Sequence, residues 1–392
     1  MMRSPASRLA AAVLVTLVGL SAGAAKNAAG AAAEPYVIGA ILSESGPGAT
    51  LGRPEADSMQ MGVDEINKAG GIGGHQIELT ILDDQSDATM AVNDFRQLLD
   101  KHPIAIFGTP LTPTSLAIAP LAEPAHVPLV SYASSVSVVT PVAQHQWVFK
   151  VPINDTEVAR SMQAFMKKRN ETKVSFIYRN DDYGKTGMAH FDEAGKPLGF
   201  EIVSNDAIAA TASDATTQLT HVKAAAPQAL ICWTTLPSAN VILKAYRELS
   251  LQTPIYYSDG AATGVFPKQA GAALDGAYIA TMKVNIYTEL PSSDPQRKLL
   301  EHYVPDFEKG YPKDAPASIF GTWGYDGVNF LKAALAKVKG PVTAASLRDA
   351  MENTTFVGVS GTFKFSPSQH FGLAEDAVLM AQIENQHFRI AK

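Results

Sequence analysis

"INKAGGIGGHQIELTILDDQSD", residues 66–87, places four glycines, Gly70, Gly71, Gly73 and Gly74, within five positions just before a hydrophobic run. A nucleotide-binding glycine loop must follow a strand and open a helix, so that backbone N–H groups and the helix N-terminus face the phosphate. Here the order is reversed. Upstream, Ala56, Met59, Val63 and Ile66 recur every three or four residues and so share one face of a helix. Downstream, Ile77, Leu79 and Ile81 alternate with polar residues, as in a half-buried strand. The glycines therefore join a helix to a strand. Gly70 and Gly71 suit a left-handed helix cap, and Gly73 and Gly74 a tight turn.

The same alternation runs through the chain and predicts parallel sheets covered by helices. Strands are expected over 36–42, 76–82, 104–108 and 127–131, with helices over 54–69, 88–101 and 114–123. This completes one doubly wound lobe. A second block starts at Asn154, which with Glu157 forms a capping-box-like opening to a helix whose Val158, Met162, Phe165 and Met166 face a core. Its strands are "KVSFIY", "EIVSND", "ALICWT" and "PIYYSD". The tail adds helices near 293–309, 317–338 and 343–351, then strand-like "GTFKF", "DAVLMAQIEN" and "HFRIAK". The expected fold is α/β, two doubly wound parallel-sheet lobes joined by three hinge crossings. Lobe 1 is expected to take residues 34–152 and 284–352, and lobe 2 residues 153–283 and 353–392. The crossings are expected near Val151–Asn154, near Met282–Asn285 and around 340–358.

Arg3 and Arg8 precede an apolar run from Leu9 to Leu20, and small residues such as Ala31, Ala32 and Ala33 follow before Glu34. This is the pattern of a secretory signal peptide over residues 1–33, too short to cross a bilayer that needs about 20 apolar residues. Its removal takes away Arg3, Arg8 and Lys26 and no acid, so the formal charge moves from −6 to −9. An acidic exported protein is a poor partner for nucleic acid. Cys232 is the single cysteine, so no intramolecular disulfide forms.

Open parallel sheets bind ligands beyond the carboxyl ends of their strands. Those ends here are "SESGPG", "GTPLTPTS", "SYASS", "RNDDYG", "WTTLPS" and "SDGAATG". Hydroxyls, glycines and a few acids dominate them, which suits hydrogen bonding to a small polar solute. Catalytic patterns are not found. The nine histidines show no HExxH spacing, no GxSxG elbow occurs, and Asp83–Asp84 ends a strand where a turn favours carboxylates. Cys232, at an apolar strand end, reads as a buried inert thiol. Neither an enzyme nor a metal or other cofactor is expected.

The run from "IGAILSESGPGATLG" through "EINKAGGIGGHQIELTILDDQSD", with "PLVSYASS", "NDDYGKTG" and "LQTPIYYSDG" in order, resembles the leucine/isoleucine/valine-binding protein family. These are the periplasmic receptors of branched-chain amino acid ABC importers. The likeness covers about residues 36–340. It implies a monomeric two-lobed receptor in the periplasm that closes on a small hydrophobic amino acid and delivers it to an inner-membrane ABC permease.

By position, the resemblance assigns the ligand's carboxylate and ammonium to Thr112, to the backbone of Ala133 and to Ser135. It places Tyr183 opposite them and gives Asp259 the ammonium. Thr112 and Ser135 also suit helix caps, Tyr183 packing, and Asp259 the turn before Gly260. The sequence departs from the family at Leu51 and near Thr235, where aromatics are replaced, and at Ser86 and Leu111, where some members carry a cysteine pair. Arg53, two residues after Leu51, could clamp a carboxylate or stand as a solvated helix-start cation. Other readings are a receptor for an aromatic or branched organic or keto acid lacking the amine, a hydrolase or isomerase in the same cleft, and a ligand sensor.

Overall fold

The computed structural model describes residues 33–311 and 316–392. The signal-peptide reading falls on residues outside these, apart from Ala33. The first sheet is built from β1 (Ala33–Leu42), β2 (His75–Asp83), β3 (Ala105–Gly108), β4 (Leu129–Ser131) and β5 (Val148–Lys150). All pairings are parallel, in the order β2-β1-β3-β4-β5. Between them run α1 (Ala49–Lys68), α2 (Ala88–Leu99) and α3 (Thr112–Ala125). The opening stretch behaves as its residues dictate. Met59, Val63 and Ile66 of α1 are buried, and Gly70 and Gly71 have φ of 100° and 81°. A side chain at Gly71 would strike the His75 carbonyl, so both the backbone angle and the space call for glycine there.

The second lobe begins with α4 (Asp155–Lys168), β6 (Lys173–Arg179), α5 (Asp182–Gly195) and β7 (Glu201–Ile208). It continues through α6 (Thr216–Ala225), β8 (Ala229–Trp233), α7 (Ser238–Glu248), β9 (Ile255–Tyr257), α8 (Phe266–Ala270) and β10 (Tyr278–Thr281). The parallel order β7-β6-β8-β9-β10 repeats that of the first sheet, so the second lobe is a second copy of the same architecture. β10 is four buried residues, too short to show a period, and the sequence reading leaves it unassigned. Asn154 stands at the start of α4 without capping it; its side-chain oxygen instead accepts from Lys150 Nζ at 2.5 Å.

The tail serves both lobes. α9 (Arg297–Gly310) and α10 (Ile319–Leu335) return to the first, where Ser58 and Tyr303 share a hydrogen bond of 2.7 Å and Tyr325 donates to Glu65. α11 (Ala344–Glu352) follows, and then β11 (Thr355–Val357) and β12 (Thr362–Lys364) form a small antiparallel ribbon. Its Phe356 and the following Phe365 stack on Phe330 of α10, and Phe365 also meets Phe149 of β5. Only then do β13 (Leu379–Glu384), antiparallel to β10, and β14 (His387–Ile390), antiparallel to β13, extend the second sheet.

Two tail segments make contacts that bear on the expected boundaries. Residues 355–371, expected in the second lobe, pack on the first, where Phe356 and Phe365 stack on Phe330, Phe365 meets Phe149 and Phe371 bridges to Lys150. Residues 283–289 stay with the second lobe, since Glu289 accepts from Arg389 and from the Ile390 N–H.

Candidate functional site

The carboxyl ends of the two sheets face each other across the cleft. A cavity of about 10 Å³ lies between them, bordered by Leu51, Thr112 and Phe320 of the first lobe and by Arg179, Tyr183 and Asp259 of the second. Asp259 follows β9 and is fully buried. Its Oδ1 accepts from the Tyr183 hydroxyl at 2.7 Å and its Oδ2 from Ser134 Oγ at 2.7 Å. Burial raises the Asp259 carboxyl above its ordinary value, and the Ser134 and Tyr183 hydrogen bonds pull it back only in part. A carboxylate held in this way gains strongly from a cation brought against it.

Tyr183 is positioned by α5, whose N-terminus is capped by Asp181 through the Gly184 N–H. Its hydroxyl also accepts from the Gly260 N–H at 3.0 Å. Ser134 comes from the opposite lobe, so the Ser134–Asp259 bond crosses the cleft. Lys150, at the end of β5, holds the Ser134 backbone in place. Its buried Nζ donates to the Ser134 and Ile153 carbonyls at 2.9 and 3.0 Å, and burial pushes it down to about 8.

Thr112 opens α3 at the cavity wall. Its hydroxyl is buried and has no partner among the described residues, and the cap position belongs to Leu111, so the hydroxyl is not a cap. An unpaired buried hydroxyl costs free energy unless something binds it. Leu111, Leu51 and Phe320 add an apolar wall from the first lobe.

The structure thus brings together Leu51, Thr112, Tyr183, Thr235 and Asp259 from the residues the sequence singled out. Three others lie elsewhere. Ser135 caps the short turn 136–138, with its Oγ 2.8 Å from Ser137 Oγ and 3.2 Å from Thr186 Oγ1. Its neighbour Ser134 takes the place beside Asp259. Ala133 lies in the core, its N–H donating to Ser131 Oγ at 3.1 Å. Arg53 is exposed and spends its Nε on the Glu44 carbonyl at 2.6 Å, bordering a separate groove with Asp57 and Gln269. Sequence reasoning missed Ser134, Arg179 and Phe320. The signal for Arg179 was present as the one basic residue in the strand-end set "RNDDYG".

The sequence profile of the periplasmic binding protein family matches residues 35–387. The chain belongs to that family. A relative 23% identical over 345 residues, covering 86% of this chain and 85% of its own, is Leu/Ile/Val-binding protein homolog 7 of Brucella abortus. An extracellular ligand-binding receptor from Rhodopseudomonas palustris superposes with a TM-score of 0.84 at 29% identity, covering 91% of this chain and 99% of that one. The same fold is seen in LivJ, a branched-chain amino acid transporter substrate-binding protein from Streptococcus pneumoniae solved with isoleucine. Its TM-score is 0.79 at 24% identity, over 91% of this chain and 99% of that one. As a periplasmic binding protein this chain has the two-lobed type I architecture, and its cavity lies where the two parallel sheets meet. No helix among the described residues is long and apolar enough to cross a membrane.

Proposed function

We propose that this periplasmic binding protein is the substrate-binding component of an ABC importer, capturing a small hydrophobic amino acid between its lobes. The observation that carries this reading is Asp259, a buried carboxylate facing Ser134 across the cleft beside the unpaired Thr112 hydroxyl. Asp259 takes the ammonium, the α3 N-terminus with Thr112 supplies donors for polar oxygen, and Leu51, Leu111 and Phe320 receive the side chain. Relatives such as the Leu/Ile/Val-binding protein homolog of Brucella abortus support the amino-acid class. Capture without turnover also fits the relatives, which are substrate-binding proteins, and fits the burial of Cys232, whose thiol is raised well above its ordinary range and so is a poor nucleophile. Export by the N-terminal segment, action as a monomer and delivery to an inner-membrane permease belong to the same proposal.

The test is a thermal-shift screen confirmed by calorimetry, using matched pairs: leucine with its keto acid, phenylalanine with phenylpyruvate, and a set of benzoates. The amino acid of each pair should stabilise the protein and its keto acid should not. The reverse pattern replaces this reading with that of an organic-acid receptor. Asp259→Asn should weaken amino-acid binding by about 2–5 kcal/mol, because the ammonium loses a buried partner. An unchanged affinity would remove Asp259 from the site.

A further inference from the structure

Arg179 is the last residue of β6, and its side chain is buried at the cavity wall. Nε donates to Asp181 Oδ2 at 2.5 Å and Nη1 to Thr235 Oγ1 at 2.6 Å. A guanidinium has five N–H groups and no acceptor. Two are used, so three have no acceptor among the described residues. Burying a guanidinium is costly unless its donors are matched, and Asp181 also serves as the cap of α5. The Asp181 carboxylate and the Tyr183 ring, 5.7 Å away, offset the charge, while the remaining N–H groups stay open at the wall of the cleft.

The sheet order shows what the free donors face. β9, β8 and β6 are neighbours, so Asp259, Thr235 and Arg179 stand in a row along the carboxyl edge of the second sheet. Adjacent strands are about 4.8 Å apart, so the row spans about 10 Å of backbone, with Thr235 between the two charges. Gly260 packs against both Tyr183 and Thr235, and a side chain there would come within 2.8 Å of the Tyr183 hydroxyl and 2.9 Å of Thr235 Cγ2. The row therefore presents an anion, a hydroxyl and a cation to the cleft, while the opposite wall is Leu51, Leu111 and Phe320 with the Thr112 hydroxyl among them.

We infer that Arg179 holds the ligand's carboxylate, pairing bidentately through the N–H groups that the protein leaves free. This deepens the proposed function and rests on its placing of the ligand in this cleft. The ligand lies with its carboxylate between Arg179 and the Thr112 hydroxyl at the α3 N-terminus, any amine on Asp259, and its apolar body against Leu51, Leu111 and Phe320. Both the amino acids and the amine-free acids are carboxylates, so Arg179 makes the carboxylate the constant feature and Asp259 sets which class is preferred.

The experiment is calorimetry of wild type, Arg179→Gln and Arg179→Lys against leucine, leucinamide and 4-methyl-2-oxopentanoate, with melting curves of the ligand-free proteins as a folding control. Wild type should prefer one of the two carboxylates over leucinamide. Arg179→Gln should weaken that carboxylate by about 100-fold or more and abolish the preference over the amide. Arg179→Lys, which keeps the charge and loses the fork, should fall between them and provides the readout if the glutamine variant does not fold. Loss of packing alone would weaken acid and amide alike and leave their ratio unchanged, and that result overturns the inference. So does a wild type that binds neither carboxylate. Binding of the keto acid instead of leucine, still lost in Arg179→Gln, would overturn the amino-acid reading and leave Arg179 in place.

Discussion

Arg53 and Arg179 show how position decides what a charge does. Both stand near strand or helix ends facing the cleft, yet Arg53 is solvated and bonded to its own lobe, whereas Arg179 is buried at the cavity wall. Water screens an exposed cation and weakens any ion pair that it forms. Arg53→Ala should therefore leave ligand affinity within about 0.5 kcal/mol of wild type in calorimetry, the usual range for surface changes. A loss of 2 kcal/mol or more would return Arg53 to the site. Ser134 and Ser135 make the same point between adjacent residues. One hydroxyl reaches Asp259 at the cavity, and the other caps residues 136–138 and meets Thr186 away from the cavity.

At the scale of elements, α10 ties the tail to the first lobe through a buried acid. Asp326 accepts from the Val359 and Ser360 N–H groups at 3.0 and 2.7 Å, fixing the chain just after β11. Burial lifts its carboxyl from 3.8 to about 7, against the pull of those hydrogen bonds. The folded state therefore keeps a proton that the unfolded chain has released. The stability linked to this group is fully present below pH 4 and is lost as pH rises toward 7. Asp326→Asn cannot ionise, so its stability should fall less than that of wild type between pH 4.5 and 7.5. Urea unfolding at the two pH values should show a difference on the order of 3 kcal/mol between the proteins. Parallel pH dependence would mean that Asp326 is ionised in the folded state.

At the scale of the whole molecule, two lobes meet over a cavity of about 10 Å³. That is about the room for one water molecule, so a ligand enters only when the lobes part. Ser135 of the first lobe and Thr186 of α5 meet at 3.2 Å across the cleft, outside the row formed by Asp259, Thr235 and Arg179. A double variant, Ser135→Cys with Thr186→Cys, should bind ligand when reduced and lose binding when oxidised, as followed by calorimetry with and without reductant. The buried native Cys232 should not interfere. Equal binding in both states would show that the lobes admit ligand without opening along this edge.

The elements were legible in the sequence because each rests on local chemistry: the 3.6-residue period of α1, the alternation in β2, and glycines at positive φ between them. The repeat of the same order in a second block gave the two-lobed fold, and the strand-end loops gave the cleft. Asp259, Tyr183 and Thr112 were readable because they lie at those ends. Tertiary structure decided the rest. Whether Ser134 or Ser135 faces the cavity depends on how one loop turns, and a shift of one residue reverses the direction of a side chain. What the tail segments pack against was set by contacts distant in sequence, such as Phe365 on Phe149 and Glu289 on Arg389. The role of Arg179 depended on burial, because an arginine becomes a clamp only where water is excluded and its donors are left facing a cavity.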